Sequence, residues 1–409
     1  MAHKPGLLFL TQRIPYPPDK GEKIRYWPLL NHLHDHYDIH LGCLIDDPRD
    51  VGHIDTVRAL CADAYFAKID PKRAKIACMR GLLTGDPLSV SYFRNRGLAA
   101  WVARVVREVK PSAILVCSSN MAPYVLDLDA GDAVRLVDLV DVDSEKWRSY
   151  AATAGWPMRW VYRREWRKTA ELEARIARES DWCALVSSTE ARLFTQILPQ
   201  AAAWTRAVPN GVDHAYFDPT QVFAAPFDTT PPNYVFTGTM DYKPNIDAVI
   251  WFAQEVLPLI HRTRPDAQFH IVGANPVPEV RKLALRTAVF VTGRVADVRP
   301  YVAHATAAVA PLRIARGIQN KVLEAMAMAR PVVVTPWALE GIDAEPGHDV
   351  LMAEDAEAFA AACLATLEPQ NLAIGAAARR RIVADYTWSE RLRGFDTLLD
   401  PSQQRDKAR

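Results

Sequence analysis

The chain has 409 residues, a formal net charge of +1 and 49% hydrophobic residues, which suits two globular domains better than one core. That charge balance excludes a partner held by bulk charge, nucleic acid above all, and no run reaches the roughly 18 apolar residues of a membrane span. Six cysteines, at 43, 61, 78, 117, 183 and 363, show neither CxxC nor finger spacing and read as reduced core residues of a cytoplasmic protein.

In chain order, GLLFLT predicts a strand too short for a signal-peptide core, and QRIPYPPDKGEKIR follows it directly. Its three prolines forbid helix before Lys20, and Gly21 allows a tight turn into a helix starting near Glu22. Neither GxGxxG nor GxxxxGK[ST] occurs, so neither a dinucleotide fold nor a P-loop is supported. In NHLHDHYDIH, His32 and His36 share a helix face while His34 does not, and no carboxylate completes a metal set. DIHLGCLI and AYFAKI predict strands, Ile76 to Arg107 is helical around a turn at Thr84 to Pro87, and SAILVC predicts a fourth strand tipped by Ser118, Ser119 and Asn120.

VRLVDLVDVDSEKW reads as a strand entering an acidic loop, where Asp138, Asp141 and Asp143 invite a metal reading. Against it, alternation puts Asp141 and Asp143 on one side only if the strand continues, and Ser144 with Glu145 reads as a helix cap. From Lys146 to Lys168 seven basic residues face one acidic, with Trp147, Trp156, Trp160, Trp166, Tyr150 and Tyr162 interleaved. Two readings stand: a peripheral membrane contact through 146–168, or tryptophans packed into the first domain beneath solvated arginines. SDWCALVSSTEARLF is strand, turn and helix, and Pro209-Asn210-Gly211-Val212-Asp213 ahead of Phe217 has the residues of a fixed turn between domains.

After a linker, a second α/β series begins. NYVFTG, QFHIVG, AVFVTG, TAAVA and PVVVT are five short apolar runs, each followed by polar or Gly residues, the pattern of a buried parallel sheet. TGTMDYKPNIDAV sets Gly238, Lys243 and Asn245 ahead of a helix. The stretch Ala310 to Ile342 reads as strand, polar loop, helix and strand, so its loop, holding Arg313, Arg316 and Gly317, falls at the carboxyl end of a strand where ligands collect. Lys321 and Glu324, three apart, share a helix face; Val322, Leu323, Met326 and Ala327 supply the apolar one.

RGIQNKVLEAMAMARPVV resembles the nucleotide-sugar signature of the family 4 retaining glycosyltransferases, and the variant with Arg313, Gly317 and Lys321 resembles a bacterial subgroup associated with exopolysaccharide and PEP-CTERM exosortase systems. The resemblance implies a GT-B architecture: an α/β protein of two Rossmann-like doubly wound domains facing a cleft. The division it suggests is 1–212 for the acceptor side, 213–232 for hinge and linker, 233–382 for the nucleotide-sugar side, and 383–409 for a helix crossing back to the first domain with a disordered tail.

The resemblance sets Glu324 on the donor ribose and Lys321 on the diphosphate, with Gly238 and Lys243 near the same phosphates and Gly21 against the phosphates and the acceptor. Relatives commonly carry a second Glu where Arg316 stands, and His-Asp at a strand end near the transferred sugar where this chain has Val140-Asp141. Lys321 and Arg313 are the candidates to meet leaving-group charge, with Asp141 at the sugar.

The expected activity is therefore retaining transfer of a sugar from a nucleotide-diphospho-sugar to a saccharide or polyprenol-linked saccharide, without metal or cofactor. Its place would be the cytoplasm, at the inner face of the cytoplasmic membrane if 146–168 binds there. The alternatives are a nucleotide-sugar 2-epimerase and a non-catalytic nucleotide-sugar-binding subunit of a transferase complex.

Overall fold

The computed structural model describes residues 4–18, 21–70, 74, 76, 78, 85–315 and 317–403. Arg316 and most of the helical run expected between Ile76 and Thr84 lie outside the described residues. The chain divides into two compact units, one running to Pro209 and resuming at Leu392, the other spanning Asn210–Arg391.

The first unit is built on seven parallel strands: β1 (Gly6–Thr11), β2 (Asp38–Ile45), β3 (Asp63–Lys68), β4 (Ala113–Cys117), β5 (Val134–Val140), β6 (Trp182–Leu185) and β7 (Thr205–Ala207), in the order β3-β2-β1-β4-β5-β6-β7. Leu7 pairs with Ile39 on one side and Ala113 on the other, and Leu7 to Leu10 are fully buried because helices cover both faces. On one face lies the helix Arg96–Glu108, capped by Asn95, whose Leu98, Trp101, Val102, Val105 and Val106 repeat at the helical period and are all buried. Gly42 in β2 makes its approach possible: a Cβ there would lie 2.8 Å from both Leu10 and Leu98 side chains. The segment from Leu392 adds the end of the helix Trp388–Leu399, with Phe395 buried beside Arg25 and Asp396 bonded to His32 at 2.7 Å.

The second unit holds six parallel strands: β8 (Asn233–Thr237), β9 (Gln268–Val272), β10 (Val289–Gly293), β11 (Ala307–Ala310), β12 (Val332–Val334) and β13 (Leu351–Met352), ordered β10-β9-β8-β11-β12-β13. Its core includes Phe252, whose ring centroid lies 4.3 Å from that of Phe269, and the apolar face of the helix Asn320–Ala327. The five expected strands of this half are all present; β7 and β13, of three and two residues, are too short to show a period.

Both sheets have the same doubly wound order, so the direction of chain progression reverses between β1 and β4 in one and between β8 and β11 in the other. At such a reversal the two neighbouring loops part, which opens a crevice at the carboxyl ends of the strands. No helix among the described residues is long and apolar enough to cross a membrane.

Candidate active site

In the second unit the reversal point is furnished by the loops after β8 and β11. Strand β8 runs into Gly238, whose φ of +156° and whose contacts both require glycine: an added Cβ would lie 2.7 Å from Asn245 Nδ2. The neighbouring Gly273, after β9, packs so tightly on the Gly238 carbonyl that no side chain could stand there. Asn245, buried in the helix Lys243–Trp251, donates from Nδ2 to the Thr239 carbonyl at 2.9 Å and accepts at Oδ1 from Lys321 Nζ at 2.8 Å. The amide thus bridges the glycine loop to the lysine.

Lys321 and Glu324 lie in the helix Asn320–Ala327, preceded by Gln319 with no side-chain cap, while Val322, Leu323, Met326 and Ala327 are buried as expected. The Lys321 ammonium sits 4.7 Å above the Phe236 ring, and burial lowers its pKa to about 8 against the opposing pull of Glu324. Burial raises the Glu324 carboxyl to about 7, with Lys321 pulling the other way. Among the described residues the Glu324 carboxylate accepts no hydrogen bond and Lys321 makes no ion pair within 4 Å, so the two half-buried groups lie side by side without satisfying each other. Functional groups are commonly held in such a state.

Further side chains stand around this pair. Tyr216 lies close enough for the Glu324 charge to act on its hydroxyl, which burial foremost holds above its ordinary range. Its ring carries the Arg299 guanidinium 3.7 Å above its centroid, and Arg299 is itself forked onto Asp297 at 2.8 to 3.0 Å. Asn210 donates to Asn320 at 3.3 Å. No sequence period links these positions, which come from the turn before the linker and from the loop after β10.

The remaining candidates divide. Arg313 is forked onto Asp247 at 3.0 and 2.6 Å, two residues beyond Asn245 on another side of that helix, with Trp251 beneath the guanidinium at 5.8 Å. Lys243 is exposed at the first turn of the same helix. Gly317 takes a φ of +66° in the loop after β11, and Arg316 is not among the described residues.

In the first unit, Gly21 opens the helix Gly21–His34 and is exposed. Asp141 lies exposed just past β5; the protein mass around it, then the Glu190 and Asp143 charges, raise its carboxyl above the ordinary carboxylate range. Asp138 is fully buried, and Arg25 forks onto it at 2.6 and 3.0 Å while donating a third bond to the Val208 carbonyl at 2.9 Å. That fork, and an Asp143 carboxylate accepting from Ser119 at 3.2 Å, part the three aspartates. No three His, Cys, Asp or Glu side chains among the described residues converge as a metal cage.

The expected Ser144–Glu145 cap is not formed. The helix Asp143–Thr153 begins earlier, Val142 holds the cap position, and Ser144 donates both its N–H and its hydroxyl to the buried Glu173 carboxylate. A carboxylate from the next helix therefore does what a cap side chain would have done.

Residues 231–369, which contain the Lys321–Glu324 pair and the loops after β8 and β11, match the sequence family described as glycosyl transferases group 1. No curated protein sequence matches the chain. Among solved structures, a glycosyltransferase from Rickettsia africae shares 12% identity, with 97% of this chain and 98% of that one covered at a TM-score of 0.65. Sucrose-phosphate synthase from Thermosynechococcus elongatus shares 16% over 97% and 98%, also at 0.65. Anabaena HepE in complex with UDP and glucose shares 14% over 97% and 99%, again at 0.65. At these identities the likeness shows the fold: two parallel α/β sheets of the GT-B kind.

Proposed function

We propose that the protein is a retaining glycosyltransferase that moves a sugar from a nucleotide-diphospho-sugar to a saccharide acceptor. The observation that carries this reading is the open Lys321–Glu324 pair at the reversal point of the second sheet, within the segment that matches the group 1 transferases. An ammonium and a carboxylate that do not satisfy each other suit a ligand with an anionic part and a hydroxyl-bearing part, which describes a nucleoside diphosphate. Glu324 accepts from the ribose hydroxyls; Lys321, released in part from Asn245, donates to the diphosphate.

The difficult step is departure of that diphosphate, and fixed positive charge aimed at its oxygens lowers the barrier. Lys321 supplies it together with the uncapped end of its helix. Arg313 joins them by exchanging the Asp247 carboxylate for phosphate, with Lys243 and Arg316 as further donor-side cations and Gly238 and Gly317 letting backbone approach. In a retaining transfer with same-face attack no side chain serves as nucleophile.

The solved relative that holds UDP and glucose supports this class of donor. The acceptor we infer is a saccharide, polyprenol-linked, in exopolysaccharide assembly at the inner face of the cytoplasmic membrane. No cofactor takes part and the nucleotide sugar is a substrate; activity is expected to survive EDTA, and rescue of a lost activity by magnesium or manganese would return attention to Asp141 and Asp143. Incubation with isotopically labelled nucleotide sugars and analysis of products by mass spectrometry tests the reading. Transferred sugar with retained anomeric configuration supports it; an epimerised donor, or a donor bound and unchanged, replaces it with an epimerase or a binding subunit.

A further inference from the structure

The aromatic, basic run between residues 146 and 168 resolves into a helical hairpin, Asp143–Thr153 and Met158–Glu179, whose side chains separate into two sets. Trp147, Tyr150 and Tyr162 pack on one another with ring centroids 5.8 to 6.0 Å apart. Those rings are accounted for by the hairpin itself. The tip is different: Trp156 is 88% exposed, Trp160 58% and Met158 44%. Three large apolar groups in water at one turn carry an unfavourable hydration free energy that no neighbour among the described residues relieves.

The charges separate in the same way. Arg164 and Lys168 are paired, with Glu165 and Glu171 respectively. Arg163 and Arg167 are exposed, and among the described residues neither belongs to an ion pair. Trp160, Arg163 and Arg167 stand at i, i+3 and i+7, on one face of the helix. Relative to Trp160 the two arginines lie roughly 4.5 and 10 Å back along the axis, at 1.5 Å per residue.

We propose that this hairpin tip docks on the surface of an anionic phospholipid bilayer, the tip rings entering the headgroup region and Arg163 and Arg167 meeting lipid phosphates. The spacing fits: an interfacial segment buries its apolar part roughly 5 to 10 Å into the headgroup boundary, so guanidiniums set that far behind the rings reach the phosphate layer. A second copy of the chain fits poorly, because a two-fold contact through this patch sets its unpaired arginines near their own symmetry mates. A nucleic acid would neutralise the arginines and leave Met158 and the indole edges wet. The proposal stands apart from the sugar-transfer reading, since vesicle binding needs no donor; each can fail alone.

The test is co-sedimentation of the full chain with vesicles of equal parts phosphatidylglycerol and phosphatidylcholine, and with phosphatidylcholine alone. The protein is expected to bind only the anionic vesicles and to be released by high salt. Arg163→Gln with Arg167→Gln is expected to weaken binding about 30-fold, from about 1 kcal/mol per basic residue at an anionic surface. Trp156→Ala with Trp160→Ala is expected to weaken it as well, each double variant keeping the parent melting temperature. Equal binding to both vesicle types, unchanged binding by both variants, or a concentration-dependent dimer that the tryptophan changes abolish would overturn the proposal, the last in favour of self-association.

Discussion

Arg25 with Asp138 in the first unit and Lys321 with Glu324 in the second are both oppositely charged pairs near the carboxyl ends of a parallel sheet, and they are built in opposite ways. Arg25 reaches Asp138 through two bonds and spends a third on the Val208 carbonyl, with both side chains at most 1% exposed. Lys321 and Glu324 share a helix, and only Asn245 hydrogen-bonds either side chain among the described residues. An ammonium has three protons to give and a carboxylate roughly four lone-pair sites, so the second pair keeps most of its capacity. A charge that is already answered is architecture; one that is half-buried and unanswered is available to a ligand.

The largest test of that contrast is Asp138→Ala. It strands the Arg25 guanidinium without water or counter-charge and is expected to destabilise the first unit by about 3 to 5 kcal/mol, read as a lower urea midpoint. Arg25→Met with Asp138→Leu should recover most of the loss, because removing both charges leaves no orphan. The matching change in the second unit, Lys321→Met with Glu324→Gln, is expected to leave the midpoint unchanged or raised.

Next in size is Glu324→Ala. If the open pair is a donor site, losing two charge-assisted bonds to ribose should cost about 2 to 4 kcal/mol in affinity for a nucleoside diphosphate, measured by calorimetry, with no loss of stability. Lys321→Ala should lower kcat more than it raises KM, since leaving-group charge peaks in the transition state. An unchanged affinity in the first variant would remove Glu324 from the site.

The contrast also explains what could be read from the chain unaided. NYVFT, QFHIV and PVVVT declare buried parallel strands because a strand covered on both faces is apolar throughout, and Lys321 with Glu324 is legible because helix geometry alone joins residues three apart. Arg25 and Asp138 are separated by 113 positions, and nothing in either neighbourhood names the other. Asn245 was visible as a loop residue; that it bridges Gly238 to Lys321 depends on helix and strand packing. The aromatic run at 146–168 was legible as a conflict between charge and apolarity, but the division into packed Trp147 and exposed Trp156 needed the hairpin.

A titration sharpens the contrast at about 1.4 kcal/mol per pH unit. With Glu324 at about 7 and Lys321 at about 8, the fully charged pair dominates only between those values. Nucleoside diphosphate affinity should fall below pH 7 as Glu324 takes a proton and above pH 8 as Lys321 loses one. Stability runs the other way. Between about 4.5 and 7 the unfolded chain has released the Glu324 proton that the native state keeps, so this group lowers stability as pH rises; between 8 and 10.5 the unfolded chain keeps a Lys321 proton the native state has lost, so stability rises again. A flat affinity from pH 5 to 10 would mean ordinary values for both groups, and an open pair no more perturbed than a surface one.

The smallest expected effect lies in the first unit, at Val140, where the backbone is strained as well as closed. Its φ is +68°, Ser118 just past the neighbouring strand β4 has +79°, and the pairing of β5 with β6 slips between Asp138 and Val140. A β-branched residue is disfavoured there, at a cost of about 1 to 3 kcal/mol, and the bond from the Val186 N–H to the Val140 carbonyl at 2.7 Å helps to hold it. Val140→Gly removes that strain but adds roughly 0.5 to 1 kcal/mol of chain entropy to the unfolded state, leaving a net gain of about 1 kcal/mol. The urea midpoint should therefore rise at constant slope. Turnover should move the opposite way if the strained turn serves to aim Asp141, the next residue, because a glycine hinge lets that carboxyl wander. A midpoint that falls would show that the Val140 side chain contributes more through packing than its backbone loses through strain.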